Sequence, residues 1–180
     1  MLENYGKKLG MKEITSAFKS EMKEAKDYEI KKYKQEDINF IFKNNNPGSI
    51  KVSSDWKGET YTGASGEKYK KYPNKIDGLI DIITTIKKYN SNNIDEIMSI
   101  YATDDPSGKV IKNYSKILKE NYNVPTIIDF NNKDHLLALL KGIIHIENSV
   151  IKYKGKKYEK PYLQYYKKND MKEAINQFLQ

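Results

Sequence analysis

Residues 44–51 read Asn44-Asn45-Asn46-Pro47-Gly48-Ser49-Ile50-Lys51 and form the firmest break in the chain. A Pro-Gly pair after an asparagine run favours a turn, because proline fixes one backbone dihedral and glycine permits left-handed conformations. Before the break, apolar residues recur at helical spacing, which predicts a helix from residue 10 to about residue 37. After it, residues 49–72 are polar and punctuated by glycines, which predicts a small β-hairpin or meander.

Beyond Pro73 the pattern becomes helical. The apolar spacing and the Asn and Asp residues that can cap helices predict five helices. They cover roughly residues 76–90, 94–101, 104–124, 132–147 and 171–178. In the Lys/Tyr-rich stretch 151–168 the apolar residues follow neither the helical spacing nor the alternation of a strand clearly.

These elements predict an α+β fold, mainly helical, with one small sheet inserted near residue 50. The chain has 180 residues, a size suited to a single core, since domains commonly hold about 100–150 residues. We expect three parts. Residues 1–37 form a charged helix that acts as a tether or a packing helix, residues 38–150 form the main domain, and residues 151–180 pack on that domain.

Composition excludes several kinds of site. The chain has no cysteine and two histidines, which excludes disulfides, thiol nucleophiles and multi-histidine metal centres. No phosphate-cradling glycine loop, nucleophile elbow or dinucleotide motif is present, so we expect no cofactor and no metal. No apolar run reaches the roughly 20 residues of a membrane span, and we expect no secretory signal.

The formal net charge of +8 allows two interpretations. A bias toward AT-rich codons enriches Lys, Asn, Ile and Tyr, and would coat the surface with lysine without any selection for binding. Alternatively, the charge attracts an anionic polymer, such as nucleic acid or the bacterial wall. Lysine without arginine argues against reading of base edges, so a nucleic-acid partner is not expected.

Glu147 is the strongest catalytic candidate. Leu136, Leu140, Ile143 and Glu147 step by four, three and four residues, which places the carboxylate on the apolar stripe of its helix. Partial burial there would raise its pKa and suit it to donate a proton to a glycosidic oxygen. The alternative is that Glu147 lies one turn beyond the buried part and is solvated.

Several polar and aromatic residues around the break are candidates for binding sugar. Asn45 and Asn46 could bond to acetamido and hydroxyl groups through their amides. The ring of Trp56 could stack on a sugar, although it could equally be a core anchor. We add Tyr61 and Tyr101 to this set of substrate-binding candidates. Among the hairpin carboxylates Asp55, Glu59 and Glu67, we select Glu59 as the assisting catalytic group.

The order of segments in this region resembles a known family. Residues 44–51, then Asp55-Trp56-Lys57-Gly58, then Tyr69-Lys70-Lys71-Tyr72 and a following helix are similar to the NPGNIR segment of phage and prophage virion proteins that carry a lysozyme-like domain. The order is also similar to that of flagellar-type glucosaminidases, in which an NLFGIK segment precedes a Trp-Lys-Gly hairpin. Ser49 replaces the usual Asn of the motif.

The resemblance covers residues 40 to about 150. Glutamates upstream of the break lack the sequence context of the glucosaminidase catalytic residue, whereas Gly142-Ile143-Ile144-His145-Ile146-Glu147-Asn148-Ser149 is similar to the segment that closes the virion domains. The resemblance therefore implies a circularly permuted lysozyme-like fold with Glu147 as the general acid.

It implies a glycosidase that cleaves the glycan strands of peptidoglycan, either by hydrolysis or by intramolecular attack. Peptidoglycan, and phage tail or baseplate proteins, would be its partners. It would reside in a virion, or in the host cytoplasm before release to the wall. The alternative is a phage structural or wall-binding protein that keeps the fold without turnover.

Overall fold

The computed structural model describes residues 32–63, 66–102 and 109–180, with side chains from residue 113 onward in the last range. The chain divides into two units, residues 1–32 and 33–180. The helix predicted for residues 10–37 therefore lies mostly outside the described residues, as does the predicted helix start at Asp104 and Asp105. The described residues of the second unit form an α+β fold, which confirms the predicted class.

The described elements are seven helices and four short strands. The helices are α1 (Gln35–Ile41), α2 (Lys75–Lys87), α3 (Ile94–Tyr101), α4 (Lys109–Tyr122), α5 (Lys133–Asn148), α6 (Tyr162–Tyr165) and α7 (Lys168–Phe178). The strands are β1 (Thr60–Thr62), β2 (Lys68–Lys70), β3 (Val150–Tyr153) and β4 (Lys156–Glu159). Within the described residues no helix combines the length and the apolar character needed to cross a bilayer.

The strands form two separate antiparallel hairpins, where the sequence predicted one. In the first, Tyr61 of β1 lies opposite Tyr69 of β2. The second joins β3 to β4 through Lys154 and Gly155, both with positive φ. Two consecutive positive φ values match the right-handed twist of a tight hairpin, and glycine adopts such a value without steric cost.

Asparagine side chains begin three of the main helices. Asn74 accepts from the backbone of α2, Asn93 from that of α3, and Asn132 from that of α5. Each of these amides satisfies a backbone N–H that has no partner within its own helix. The large aliphatic side chains at the centre of each helix, such as Leu79, Ile97 and Leu140, are fully buried, and burial of each stabilises the fold by about 1.5–3 kcal/mol.

The C-terminal residues belong to the same core. Tyr162, Tyr166, Met171, Ala174 and Ile175 are buried in one cluster with the residues of α2 and α5. The stretch that was ambiguous in sequence is therefore a hairpin followed by a short helix, and α7 confirms the last predicted helix.

The predicted first helix is wrong at its C-terminal end. Lys34 has an extended conformation and α1 begins anew at Gln35. The side chain of Gln164 explains this break, because it accepts from the backbone N–H of Tyr33 at 3.1 Å and donates to the Tyr33 carbonyl oxygen at 3.0 Å. These long-range bonds replace the helical bonds that the local sequence would otherwise favour.

Candidate active site

A cleft of about 740 Å³ lies in the second unit, and the carboxyl group of Glu147 lines it. Its walls come from the turn at residues 48–51, the loop at residues 53–55, strand β2 and the C-terminal ends of α2, α3 and α5. The cleft is therefore built where four elements end beside the Asn-Pro-Gly turn.

Glu147 occupies the last turn of α5, on the stripe that the sequence predicts. Leu136, Leu140 and Ile143 on that stripe are fully buried, and Glu147 itself is half-buried. Burial raises the pKa of the Glu147 carboxyl group above its ordinary value. The cause is desolvation, which disfavours the charged form. The interpretation of Glu147 as a fully solvated residue is therefore wrong.

Two hydroxyl groups hold the Glu147 carboxyl group. Tyr114, itself buried in α4, donates to Oε1 at 2.9 Å. The Ser49 hydroxyl also donates to this carboxyl group. Both bonds favour the charged form and so lower the pKa, but desolvation has the larger effect. The result is an oriented carboxyl group that retains its proton to a higher pH than a free glutamate does.

The Asn-Pro-Gly turn presents Ser49 to the carboxyl group. Asn45 and Ser49 both have positive φ, a conformation that side chains other than glycine adopt rarely and asparagine more readily than most. The Asn46 side chain closes the turn, because its Oδ1 accepts from the Ile50 N–H at 2.9 Å and its Nδ2 donates to the carbonyls of Ile50 and Lys70 at 3.0 and 2.9 Å.

Two further contacts fix the turn against the helices. The Tyr101 hydroxyl donates to the Gly48 carbonyl oxygen, and Asn148 donates to that of Pro47 at 2.8 Å. A Cβ added at Gly48 would lie 2.7 Å from Ile82 and 2.8 Å from the Tyr101 hydroxyl. Only glycine therefore allows the turn to approach α2 and α3 this closely.

Asn45 and Asn46 are not available for binding sugar, contrary to the prediction. Asn45 donates to the Tyr72 carbonyl at 3.1 Å and accepts from the Tyr165 hydroxyl at 2.8 Å. Asn46 uses its amide in the three bonds described above. Their side chains satisfy buried backbone groups, which would otherwise cost free energy, so their role is to shape the turn.

Trp56 is likewise a support rather than a sugar platform. Its ring is half-buried and meets Tyr72 edge-on at 5.5 Å between centroids, and its indole N–H donates to the Glu59 carbonyl at 3.0 Å. Gly58 packs on the same ring, where an added Cβ would lie 2.3 Å away. Trp56 does not line the cleft. Its alternative interpretation as an anchor fits these contacts.

The two predicted tyrosines have different positions. Tyr101 lines the cleft, whereas Tyr61 does not. Tyr61 stacks on Tyr69 at 5.5 Å, and Tyr69 is the member of the pair that lines the cleft. Tyr69 and Tyr89 thus supply aromatic surface that the sequence did not single out as sugar-binding.

Glu59, the predicted assisting carboxylate, does not line the cleft with Glu147. Its side chain is 73% exposed and pairs with the Lys71 ammonium at 2.5 Å. That hydrogen bond and the positive charge of Lys71 lower the pKa of Glu59. The carboxylate that does line the cleft is Asp55, which the sequence identified only as one member of the hairpin set.

The lysines of the cleft each face a carboxylate. Lys70, which is 6% exposed, pairs with Asp81 at 2.9 Å. At the rim, Lys51 pairs with Glu67 at 2.8 Å. Lys88 lies 3.8 Å from Asp55. The cleft therefore has mixed charge, and the net charge of the chain is not concentrated in it.

His145 lies apart from the cleft, as its position on α5 predicts. Its Nδ1 and the Tyr162 hydroxyl are 2.6 Å apart, and its ring meets that of Tyr122 at 5.5 Å. Burial lowers the pKa of His145, which favours the neutral ring. The histidine is a packed residue between α4, α5 and α6.

Comparison with known proteins adds no family to this geometry. No family model matches the chain, and no curated protein matches its sequence significantly. The resemblance drawn from residues 44–89 and 142–149 therefore stays a prediction.

Proposed function

We propose that this protein is a peptidoglycan-degrading glycosidase and that Glu147 is its general acid. The observation that carries the proposal is the Glu147 carboxyl group, which lines an open cleft of about 740 Å³ and has its pKa raised by burial. A carboxyl group whose pKa is raised by burial is suited to protonate a glycosidic oxygen.

The proposed chemistry follows from the role of Glu147 as proton donor. Glu147 donates its proton to the glycosidic oxygen as the bond from that oxygen to the anomeric carbon breaks, so the leaving sugar departs as a neutral alcohol. Tyr114 orients the carboxyl group through Oε1. The rings of Tyr69, Tyr89 and Tyr101 offer aromatic surface along the cleft on which sugar rings can pack.

Peptidoglycan is the proposed substrate because of the resemblance to lysozyme-like virion proteins. In those virion proteins, the segments that resemble the Asn-Pro-Gly turn and residues 142–149 both belong to the lysozyme-like domain. Their proximity supports the proposal, since Asn148 of the second donates to the Pro47 carbonyl oxygen of the first at 2.8 Å. A lysozyme-like fold, with the catalytic helix placed after the first hairpin by circular permutation, is part of this proposal.

The proposed setting is a bacteriophage. Peptidoglycan would be the substrate, and tail or baseplate proteins would be partners if the chain is carried in a virion. An endolysin released from the host cytoplasm would meet the same substrate.

The test is release of soluble muropeptides from purified sacculi by the full chain and by Glu147→Gln. The substitution removes the acid and nearly keeps the volume, so release should fall on the order of 10²–10⁴-fold. Glu120→Gln is the matched control, because Glu120 is exposed on α4 and does not line the cleft.

A pull-down with the same sacculi separates the alternatives. Binding by both proteins, with release by the unsubstituted chain only, supports the proposal. Binding without release by either protein would show the non-catalytic wall-binding alternative, and equal release by both would refute the role of Glu147.

A further inference from the structure

We propose that Asp55 is the second catalytic residue of this cleft and that it accepts a proton from the attacking water, so that the glycan strand is cut by hydrolysis. The inference rests on the proposed glycosidase function and deepens it. It names the assisting carboxylate and decides between attack by water and intramolecular attack by a sugar hydroxyl.

Asp55 and Glu147 line the same cleft but come from different parts of the chain. Glu147 ends α5, whereas Asp55 lies in a turn that is closed by a 3.0 Å bond from the Trp56 N–H to the Ser53 carbonyl. The packing of Trp56 on Tyr72 and Gly58 anchors this turn. Asp55 is thus an exposed carboxylate that is presented from an anchored loop.

The surroundings of Asp55 favour its charged form. The Ser53 hydroxyl and the backbone N–H of Asp55 donate to the carboxylate, and the Lys88 ammonium lies 3.8 Å away. The Ser53 hydrogen bond is the largest of the effects that lower the pKa of Asp55. Burial acts in the opposite direction on Glu147 and raises its pKa.

Hydrolysis needs one carboxyl group that gives a proton and a second that accepts one, and Glu147 and Asp55 line the same cleft. Glu59 does not meet this requirement, because its carboxylate bonds to Lys71 away from the cleft. The exposure of Asp55, 71% of its side chain, leaves room for a water molecule beside it.

The proposed step balances as follows. Glu147 gives its proton to the glycosidic oxygen, and the bond from that oxygen to the anomeric carbon breaks. A water oxygen bonds to the anomeric carbon and loses one proton to Asp55. The products are a sugar with a free reducing end and an alcohol, and solvent then returns the proton from Asp55 to Glu147.

This step predicts the chemical form of the products. Muropeptides released by the unsubstituted protein should carry a free reducing end, whereas intramolecular attack would give an anhydro sugar that is lighter by one water molecule. Mass spectrometry distinguishes the two.

Asp55→Asn should lower release on the order of 10²–10⁴-fold, because the amide cannot accept the proton from water. Since Asp55 is exposed, the substitution should leave the fold intact, which circular dichroism checks. Glu59→Gln is the contrasting variant and should keep release within about twofold, the effect expected of a solvated group.

The outcomes separate this inference from the proposed function. Anhydro products, or unchanged release by Asp55→Asn, would overturn the role of Asp55. If Glu147→Gln is inactive in the same experiment, the glycosidase function stands while the inference fails. Free reducing ends and the loss of release in Asp55→Asn together would support it.

Discussion

The side-chain amide of Asn148 donates hydrogen bonds to the carbonyl oxygens of Pro47, at 2.8 Å, and of Ile144, at 2.9 Å. Asn148 follows Glu147 directly in α5, and Pro47 precedes Gly48 in the Asn-Pro-Gly turn. One buried amide therefore joins the turn to the helix end that carries the catalytic candidate. This contact fixes the turn that carries Ser49 against the last turn of α5.

Replacing Asn148 with Ala should destabilise the protein by about 1–3 kcal/mol, because the Pro47 carbonyl loses its partner in a buried place. Asn148→Asp should cost more, since a carboxylate would face two carbonyl oxygens. The free energy of unfolding in urea measures both effects. Asn131→Ala is the control, because Asn131 is exposed. If Asn148→Ala lowers the free energy of unfolding no more than this control does, the assigned contact is contradicted.

Gly78→Ala should destabilise the protein, although alanine is the better helix former. A Cβ on Gly78 would lie 1.8 Å from the Asn45 carbonyl oxygen and 3.1 Å from Pro47, so the turn would have to move. Helix propensity alone predicts a gain of about 0.5–1 kcal/mol, whereas overpacking predicts a loss of about 1–3 kcal/mol. The sign of the change in unfolding free energy shows which effect is larger. A gain in stability would contradict the close packing of Gly78 on the turn.

Removing the Tyr114 hydroxyl should move the alkaline limb of the pH–activity profile to higher pH. Tyr114 donates to Glu147 Oε1 and so stabilises the charged carboxylate. Without this bond the pKa of Glu147 rises further, and the acid form persists to higher pH. The measurement compares Tyr114→Phe with Tyr89→Phe, which changes another tyrosine of the cleft. A shift to lower pH, or equal profiles, would contradict the role of Tyr114.

Glu147→Gln should become more stable relative to the unsubstituted protein as pH rises. Because the folded state raises the pKa of Glu147, the folded protein binds more protons than the unfolded chain, and its stability falls as pH increases above the ordinary value of 4.5. Glutamine removes this loss.

Asp55→Asn should show the opposite trend in the same experiment. The folded state lowers the pKa of Asp55 from its ordinary value of 3.8, so the carboxylate contributes stability above that pH and loses it as pH falls. Thermal unfolding of the three proteins from pH 3 to pH 8 tests both trends. Parallel curves for Glu147→Gln and the unsubstituted protein would show that the carboxyl group is not desolvated.

The helices that begin with capping residues could be predicted from the sequence, because the signals are local. Asn74, Asn93 and Asn132 each bond to an N–H two or three residues ahead. The β3–β4 hairpin could not be predicted with the same clarity, since its strands are rich in lysine. In β4 only Tyr158 is buried, so the pattern of alternate apolar residues is nearly absent.

The site was predictable in part. The spacing of Leu136, Leu140, Ile143 and Glu147 is a property of one helix. It was sufficient to predict that the carboxyl group lies on the apolar face of α5. Tyr114 was not predictable as its partner, because α4 must first pack on α5. The approach of these helices depends on Gly142, where an added Cβ would lie 2.3 Å from Leu118.

Asn45 and Asn46 were assigned wrongly for a related reason. An amide in a turn can bind a ligand or satisfy the backbone of its own chain, and sequence alone does not distinguish these uses. The bonds of Asn46 to Ile50 and Lys70 require the strand β2 to return beside the turn. Tertiary structure therefore determines whether such an amide binds a ligand or the backbone of its own chain.

The most direct test is a titration of the Glu147 carboxyl carbon by ¹³C NMR in the unsubstituted protein, with Glu147→Gln used to assign the signal. The midpoint should lie above the ordinary value of 4.5, because burial in the cleft disfavours the carboxylate. A midpoint at or below 4.5 would mean that the carboxyl group is charged at neutral pH, and Glu147 could not then be the proton donor.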